Sequence, residues 1–178
     1  MKNIALALVA LSAVATPAFA QDGDATYTGA HVSVIAGYDQ LNLNTDGLDN
    51  PSGVLYGVNL GYDIQSGSAL FGIEAEAAES TAKIKVGNVV AASAGRDLYV
   101  GGRIGYVAGE TLVYAKAGYT NARVETVAGN ENGDGLRLGL GAERKFGSNF
   151  FGKIEYRYSN YEADVERHQV AAGLGFRF

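Results

Sequence analysis

Residues 169–178, QVAAGLGFRF, decide the fold of this chain. Counted back from Phe178, every second position is apolar (Phe178, Phe176, Leu174, Ala172, Val170), and the positions between are Arg177, Gly175, Gly173, Ala171 and Gln169. A repeat of two is the period of a β-strand, so one face is greasy and the other small or polar. A tilted strand needs about 9–11 residues to cross a bilayer, which this stretch supplies. A strand of this kind at the carboxy-terminal end is expected to close a membrane barrel.

The amino-terminal end points to the same compartment. Met1-Lys2-Asn3 is a short basic start, residues 4–14 are apolar, and Ala18-Phe19-Ala20 forms a small-residue cleavage site behind Pro17. This order predicts a secretory signal peptide over residues 1–20, cut after Ala20, followed by a short periplasmic segment at 21–27 and the barrel at 28–178. There is no cysteine, hence no disulfide framework and no lipid-modified cysteine anchor. Without residues 1–20 the chain keeps 13 basic side chains, the 14 of the whole less Lys2, against 19 acidic, a formal charge of −6. No later stretch approaches 18 continuous apolar residues, so a membrane crossing must be made by strands. The 25 glycines, 11 tyrosines, 7 phenylalanines and 2 prolines suit strands and tight turns. An acidic chain without a Lys/Arg cluster is not a nucleic-acid binder.

Eight segments alternate in character: 28–38, 54–64, 69–78, 98–107, 111–122, 136–146, 150–159 and 168–178. An even count is what a bacterial barrel requires. Their connections alternate too: 39–53 long, 65–68 short, 79–97 long, 108–110 short, 123–135 long, 147–149 short, with 160–167 a smaller outer loop. Outer-membrane barrels have short periplasmic turns and longer external loops, which puts both termini in the periplasm. The fold class expected is all-β, an eight-stranded antiparallel up-and-down transmembrane barrel.

Each segment separates apolar from charged positions. Tyr56, Val58, Leu60 and Tyr62 alternate with Gly57, Asn59, Gly61 and Asp63, and Ile154, Tyr156 and Tyr158 alternate with Lys153, Glu155 and Arg157. Periodicity alone does not say which face is inside, and a soluble lipocalin-like carrier would turn the apolar face inward. Tyr38, Tyr62, Tyr106, Tyr119 and Tyr158 near segment ends, with Phe146, Phe150, Phe176 and Phe178 at the opposite rim, read as two aromatic girdles and put lipid outside. The third segment contains Glu74-Ala-Glu-Ala-Ala-Glu, good helix formers. It is read as strand because Leu70, Gly72, Glu74 and Glu76 share one face and Phe71, Ile73, Ala75 and Ala77 the other, while the competing helix would be barely two turns and marginal alone.

These residues resemble the small OmpA-like and opacity-type outer-membrane barrels, the porin-family barrel domain. The resemblance runs through Tyr27-Thr28-Gly29, Gly37-Tyr38, Gly61-Tyr62, Phe71-Gly72-Ile73-Glu74, Gly105-Tyr106, Tyr114-Ala-Lys116-Ala-Gly118-Tyr119, Gly141-Ala-Glu143, Glu155-Tyr156-Arg157-Tyr158 and Phe176-Arg177-Phe178. The first strand departs from the pattern, with Tyr27 for a usual Trp and with His31 and Ser33 where an aromatic residue and a glycine are common. The resemblance implies that Phe176 and Phe178 end an assembly signal read by the outer-membrane barrel machinery, and that no peptidoglycan-binding domain follows.

An eight-stranded barrel is just filled by its own side chains. The inward set carries Asp63, Glu74, Glu76, Glu143 and Glu155 against Arg103, Lys116, Arg137, Lys145, Lys153, Arg157 and Arg177. Of these, Glu74, Glu76, Arg103, Lys116, Glu143, Lys153, Glu155 and Arg157 form the candidate site, an ion-paired plug or, alternatively, the gate of a narrow conductance. A turn centred on Ser148 sets Glu143 opposite Lys153 and Phe146 opposite Phe150. No enzyme is expected: there is no Cys and no G-x-S-x-G, and the one candidate set, His168 with Asp164 and Ser159, reads more simply as polar rim residues, while His31 lies far below. No cofactor or metal is expected either. The run Asn130-Glu-Asn-Gly-Asp134-Gly is faintly like a calcium loop but lacks the downstream Glu, so an ordinary mobile turn is preferred. The outer loops are acidic (Asp46, Asp49, Glu125, Glu131, Asp134, Glu162, Asp164, Glu166), with Lys83, Lys85 and Arg96 in the second. The function expected is structural and surface-interacting: envelope integrity, adhesion or host contact by a monomer in outer-membrane lipid and lipopolysaccharide. The runner-up is a low-conductance channel, and the third reading is the soluble carrier.

Overall fold

A computed structural model describes residues 26–43, 51–86, 89–126, 129–161 and 165–178. The expected signal peptide, with Ala18 and Ala20, and the loop residues Asp46, Asp49, Glu162 and Asp164 lie outside the described residues. The strands are β1 (Gly29–Leu43), β2 (Ser52–Ser66), β3 (Ala69–Ser80), β4 (Lys83–Val86), β5 (Val89–Ala108), β6 (Thr111–Thr126), β7 (Gly129–Phe146), β8 (Phe150–Tyr161) and β9 (Val165–Arg177). All but β4 form a closed antiparallel ring. In it β3 pairs directly with β5, and β9 returns to β1 from His31↔Arg177 to Leu43↔Val165. The fold is an eight-stranded up-and-down barrel, and β4 is a short arm on the outer part of β5.

Three tight turns mark one end. Gly67, Gly109 and Gly147 stand in them with φ of 59°, 59° and 73°. Only glycine adopts these angles freely, and hairpin turns that follow the strand twist require them. Short turns face the periplasm in such barrels, so Phe178 lies at that end.

At the other end the strands outrun the segments legible in the sequence. β5 has 20 residues and β7 18, where about 9–11 cross a bilayer. The expected loop at 123–135 is mostly hairpin, paired from Asn121↔Asp134 to Thr126↔Gly129. Its calcium-loop-like run is therefore extended backbone, neither an ion-wrapping loop nor a mobile turn. The Gly and Asn residues of that run suggested a turn. Their backbone groups instead complete the ladder begun by β6, where Val124 and Thr126 favour extension. The expected loop at 79–97 likewise folds back as the β4–β5 hairpin. β7 runs on past its last β8 partner, Gly135↔Tyr161, so β4 to β7 rise as a platform above one side of the rim.

The faces alternate through every strand of the ring. In β3, Leu70, Glu74, Glu76, Ala78 and Ser80 are buried while Phe71, Ile73, Ala75 and Ala77 are exposed, so the segment of helix formers is strand. Ile73 is 70% exposed, Leu136 69% and Leu174 67%, an apolar band that water would not tolerate and that lipid covers. The aromatic rims differ from expectation in one respect. Tyr62 and Tyr106 sit at the periplasmic rim with the phenylalanines, because β2 and β5 run toward the tight turns. There Phe150, Phe176 and Phe178 stack edge to face, with centroids 5.3 and 5.1 Å apart. Tyr38, Tyr119 and Tyr158 mark the outer rim, joined by Tyr56 and Tyr156.

Candidate functional site in the barrel lumen

The lumen is floored at the periplasmic end. Leu70, Val107, Leu112 and Phe151, inward positions close to the turns, are apolar, and Tyr27 packs against Leu70, Val107, Leu112 and Tyr114. Its backbone N–H donates to Gln65 Oε1 at 2.7 Å and its hydroxyl to the Glu110 carbonyl at 2.6 Å. Lys145 and Arg177 lie over its ring at 5.5 and 5.2 Å.

Above the floor, charge is arranged in three tiers. In the first, Arg103 grips Asp63 with both arms of its fork and reaches Glu143 at 3.5 Å. Arg177 meets Asp63 at 2.7 Å and Glu143 at 2.8 Å, so two guanidiniums share two carboxylates. His31 stands beside them, its Nε2 3.4 Å from Asp63 and its ring edge-on to Phe151. In the second tier, Lys116 Nζ lies 2.7 Å from both Glu74 and Glu155. Arg157 forks onto Glu76 at 2.5 and 2.7 Å and bonds Glu155 through Nε, and the Tyr114 hydroxyl donates to Glu155 at 2.7 Å. In the third tier, Arg167 forks onto Asp39 at 2.7 and 2.6 Å and meets Asp97 at 3.0 Å. Arg137 joins Asp97 at 2.6 Å and donates to the Ser159 hydroxyl at 2.8 Å. Arg103–Glu74 at 3.9 Å and Arg137–Glu76 at 3.7 Å link the tiers into one column.

Room for these long side chains comes from inward glycines on the next strand. Lys116 lies across Gly139, its register partner, where a Cβ would come within 2.9 Å of Lys116 Cγ. Among the described residues the buried charges are seven carboxylates against eight arginines and lysines, so the column is close to neutral. Pairing and hydrogen bonding of both signs offset the cost of holding so many ions away from water.

All eight candidate residues face this lumen, and the structure gathers Glu74, Glu76, Arg103, Lys116, Glu143, Glu155 and Arg157 into the two lower tiers. Lys153 stands apart. It lies opposite Glu143 in the ladder, and Phe146 opposite Phe150, as the turn geometry requires. Yet Glu143 bonds Arg103 and Arg177, and Lys153 Nζ has no hydrogen-bond partner among the described residues. Side chains opposed on neighbouring strands point the same way into the lumen, whereas arginines reaching from other walls meet the carboxylate end-on. Asp39, Asp97 and Arg167 lie beyond the alternating segments, in stretches whose composition signals loop. The inward parity of Gly37, Tyr99 and Gln169, carried one step further, finds each of them.

The candidate catalytic set is not assembled. Ser159 points inward to Arg137, while His168 faces outward and shares a 2.7 Å contact between Nδ1 and the Tyr156 hydroxyl. Asp164 lies outside the described residues, and among those described no metal-ligating cluster of His, Asp and Glu is found.

A closed antiparallel barrel with a lipid-compatible outside and a charged, paired inside is an integral outer-membrane protein. The chain belongs to the family of the outer membrane protein beta-barrel domain, whose model matches residues 6–178. The 25 kDa outer-membrane immunogenic protein of Brucella ovis is 26% identical over 156 residues, covering 85% of this chain and 76% of that protein. Its counterpart in Brucella abortus is 24% identical over 168 residues, covering 85% and 78%. Solved structures that share the fold include these two. Neisserial surface protein A superposes with a TM-score of 0.61 at 16% identity, over 85% of this chain and 98% of that one. Ail, the attachment invasion locus protein of Yersinia pestis, gives 0.54 at 22% identity, over 85% and 99%.

Proposed function

We propose that the protein is a surface-interaction barrel: a monomer whose filled lumen is structural and whose working surface is the platform of β4 to β7 above the outer rim. The carrying observation is the column itself, because a floored and nearly neutral lumen leaves the exposed strands as the part able to meet a partner. Relatives named as immunogenic and a fold neighbour named for attachment and invasion support contact with a host or another surface. Lipopolysaccharide surrounds the outer half of the barrel in this reading, and the edge-to-face Phe150–Phe176–Phe178 rim is the mark left for the assembly machinery. The signal peptide at residues 1–20 completes the route. No catalytic step is assigned to it. The soluble-carrier reading is set aside, since the apolar face is outside.

The test replaces residues 124–131 with a two-residue Asn-Gly turn, keeping the barrel below intact. Cells displaying the shortened protein are expected to lose adhesion to host-cell surfaces while the variant still folds. Undiminished adhesion would overturn the reading.

One observation favours a second role as a narrow conductance. Lys153, Ser33, Asn59 and His31 have buried polar atoms without hydrogen-bond partners among the described residues, along the wall where β8, β9, β1 and β2 meet. Such groups attract water, and a hydrated strip is what a small ion would follow. In planar bilayers this reading expects steady single-channel currents that change in Lys153→Met. Silence, or currents indifferent to that substitution, removes it.

A further inference from the structure

The protein has eight arginines, and six of them form an ion pair with a carboxylate. Among the described residues Arg96 and Arg123 do not, and they are neighbours. The β5–β6 ladder steps from Ala94↔Val124 to Asp97↔Ala122, so Gly95 and Arg96 together oppose the single residue Arg123. A glycine inside a strand often marks such a bulge, and a bulge re-aims the side chain beside it. Asp97 and Ala122 face the lumen, which puts Arg96 and Arg123 on the outer, membrane-side face. Among the described residues Arg96 makes one side-chain hydrogen bond, to the amide oxygen of Asn121 at 3.4 Å, and its buried Nε has no partner; Arg123 meets Asn132 at 3.3 Å.

Directly beneath lies an apolar furrow of about 530 Å³ on the lipid side, bounded by Val58, Leu60, Leu98, Val100 and Tyr119, with Ala75 and Ala77 on its bed. It exists because β3 presents these two alanines outward between the larger side chains of β2 and β5. Asn121 belongs to both features, lining the furrow and bonding Arg96. Among the described residues, the two carboxylates nearby are turned to other donors: Glu79, the ladder partner of Arg96, accepts from the Tyr56 hydroxyl at 2.8 Å, and Asp134 accepts from Tyr119 and from Asn121 at 2.6 Å. Both lie in the tyrosine belt of the outer rim, at the headgroup level of the outer leaflet.

We propose that the furrow and the arginine pair bind one phosphorylated glycolipid of the outer leaflet, a lipid A molecule, with an acyl chain along Ala75 and Ala77 and a phosphate on Arg96 and Arg123. Guanidinium forks suit phosphate oxygens, and an apolar trough suits a saturated chain. A phosphate-bearing, multiply acylated lipid of the external leaflet meets both demands at this height. The inference rests on membrane placement and not on the adhesive role of the platform tip, so either can fail without the other.

The barrel, refolded in dodecylmaltoside with EDTA present, is titrated separately with bis-phosphorylated lipid A, with its dephosphorylated form and with phosphatidylglycerol, and bound lipid is counted by native mass spectrometry. One lipid A is expected to bind, with the other two lipids weaker by about tenfold or more, on the order of one charge-assisted contact. Arg96→Gln with Arg123→Gln should weaken lipid A to a similar degree, and Ala75→Phe with Ala77→Phe should do so with both arginines in place. Each substituted side chain faces outward, and each variant is scored only as the band that migrates folded without boiling. Equal binding by both variants, equal binding of phosphatidylglycerol, or loss of wild-type binding in EDTA, which would mean a cation bridge to Glu79 or Asp134, overturns the proposal.

Discussion

Arg157 illustrates how a charge is accommodated inside a narrow barrel. It is fully buried, both guanidinium nitrogens of its fork are engaged by Glu76, and its Nε by Glu155. The cost of removing these ions from water is offset only while each has its partner. Arg157→Met takes the fork from Glu76, which keeps Arg137 at 3.7 Å, and one cation from Glu155, which keeps Lys116 and Tyr114, and is expected to destabilise the barrel by about 3 kcal/mol, the lower end of the cost of removing one partner of a buried pair. Adding Glu76→Leu should recover part of that loss, because the two sites share one interaction. Urea unfolding of vesicle-inserted protein, followed by tyrosine fluorescence, measures both; an additive double variant would show that the residues act independently.

At the scale of elements, the strands were legible wherever one face had to be apolar. The alternation from Tyr56 to Tyr62, or from Lys153 to Tyr158, is imposed by lipid on one side and a crowded lumen on the other. Even the stretch from Glu74 to Glu79, composed of helix formers, obeyed it, because Glu74 and Glu76 have cations waiting across the lumen in Lys116 and Arg157. Above the bilayer that constraint lapses. β5, β6 and β7 continue as paired strands through residues such as Ser93, Asn132 and Gly133, whose composition signals loop, since backbone pairing there no longer demands an apolar face. The same lapse hid the upper tier, Asp39, Asp97 and Arg167. The partners of individual charges were illegible for a different reason: Glu143 has Lys153 beside it in the ladder, but side chains arriving from β5 and β9 take its oxygens, and a linear pattern does not encode distances across a lumen.

For the whole molecule, a closed ring with no free edge and an ion-paired interior should resist detergent. The unboiled protein is expected to migrate faster than the boiled protein on a dodecyl sulfate gel, and a single position at both temperatures would contradict the closed barrel. The wiring of the column bears on how such a ring comes into being. Arg157 and Glu76 lie 81 residues apart, Arg177 and Asp63 114, and Arg167 and Asp39 128. These partners sit on strands that are not successive in the chain, so a hairpin emerging alone carries unneutralised charge on its inner face. Half a barrel is thus electrically unfinished: pairs such as Arg103–Asp63 and Lys116–Glu74 form as later strands arrive, and the carboxylates of Asp39 and Asp63 gain Arg167 and Arg177 only when β9 reaches β1. Closure therefore carries the last share of the neutralisation, which ties the completion of the ring to the completion of its charge network.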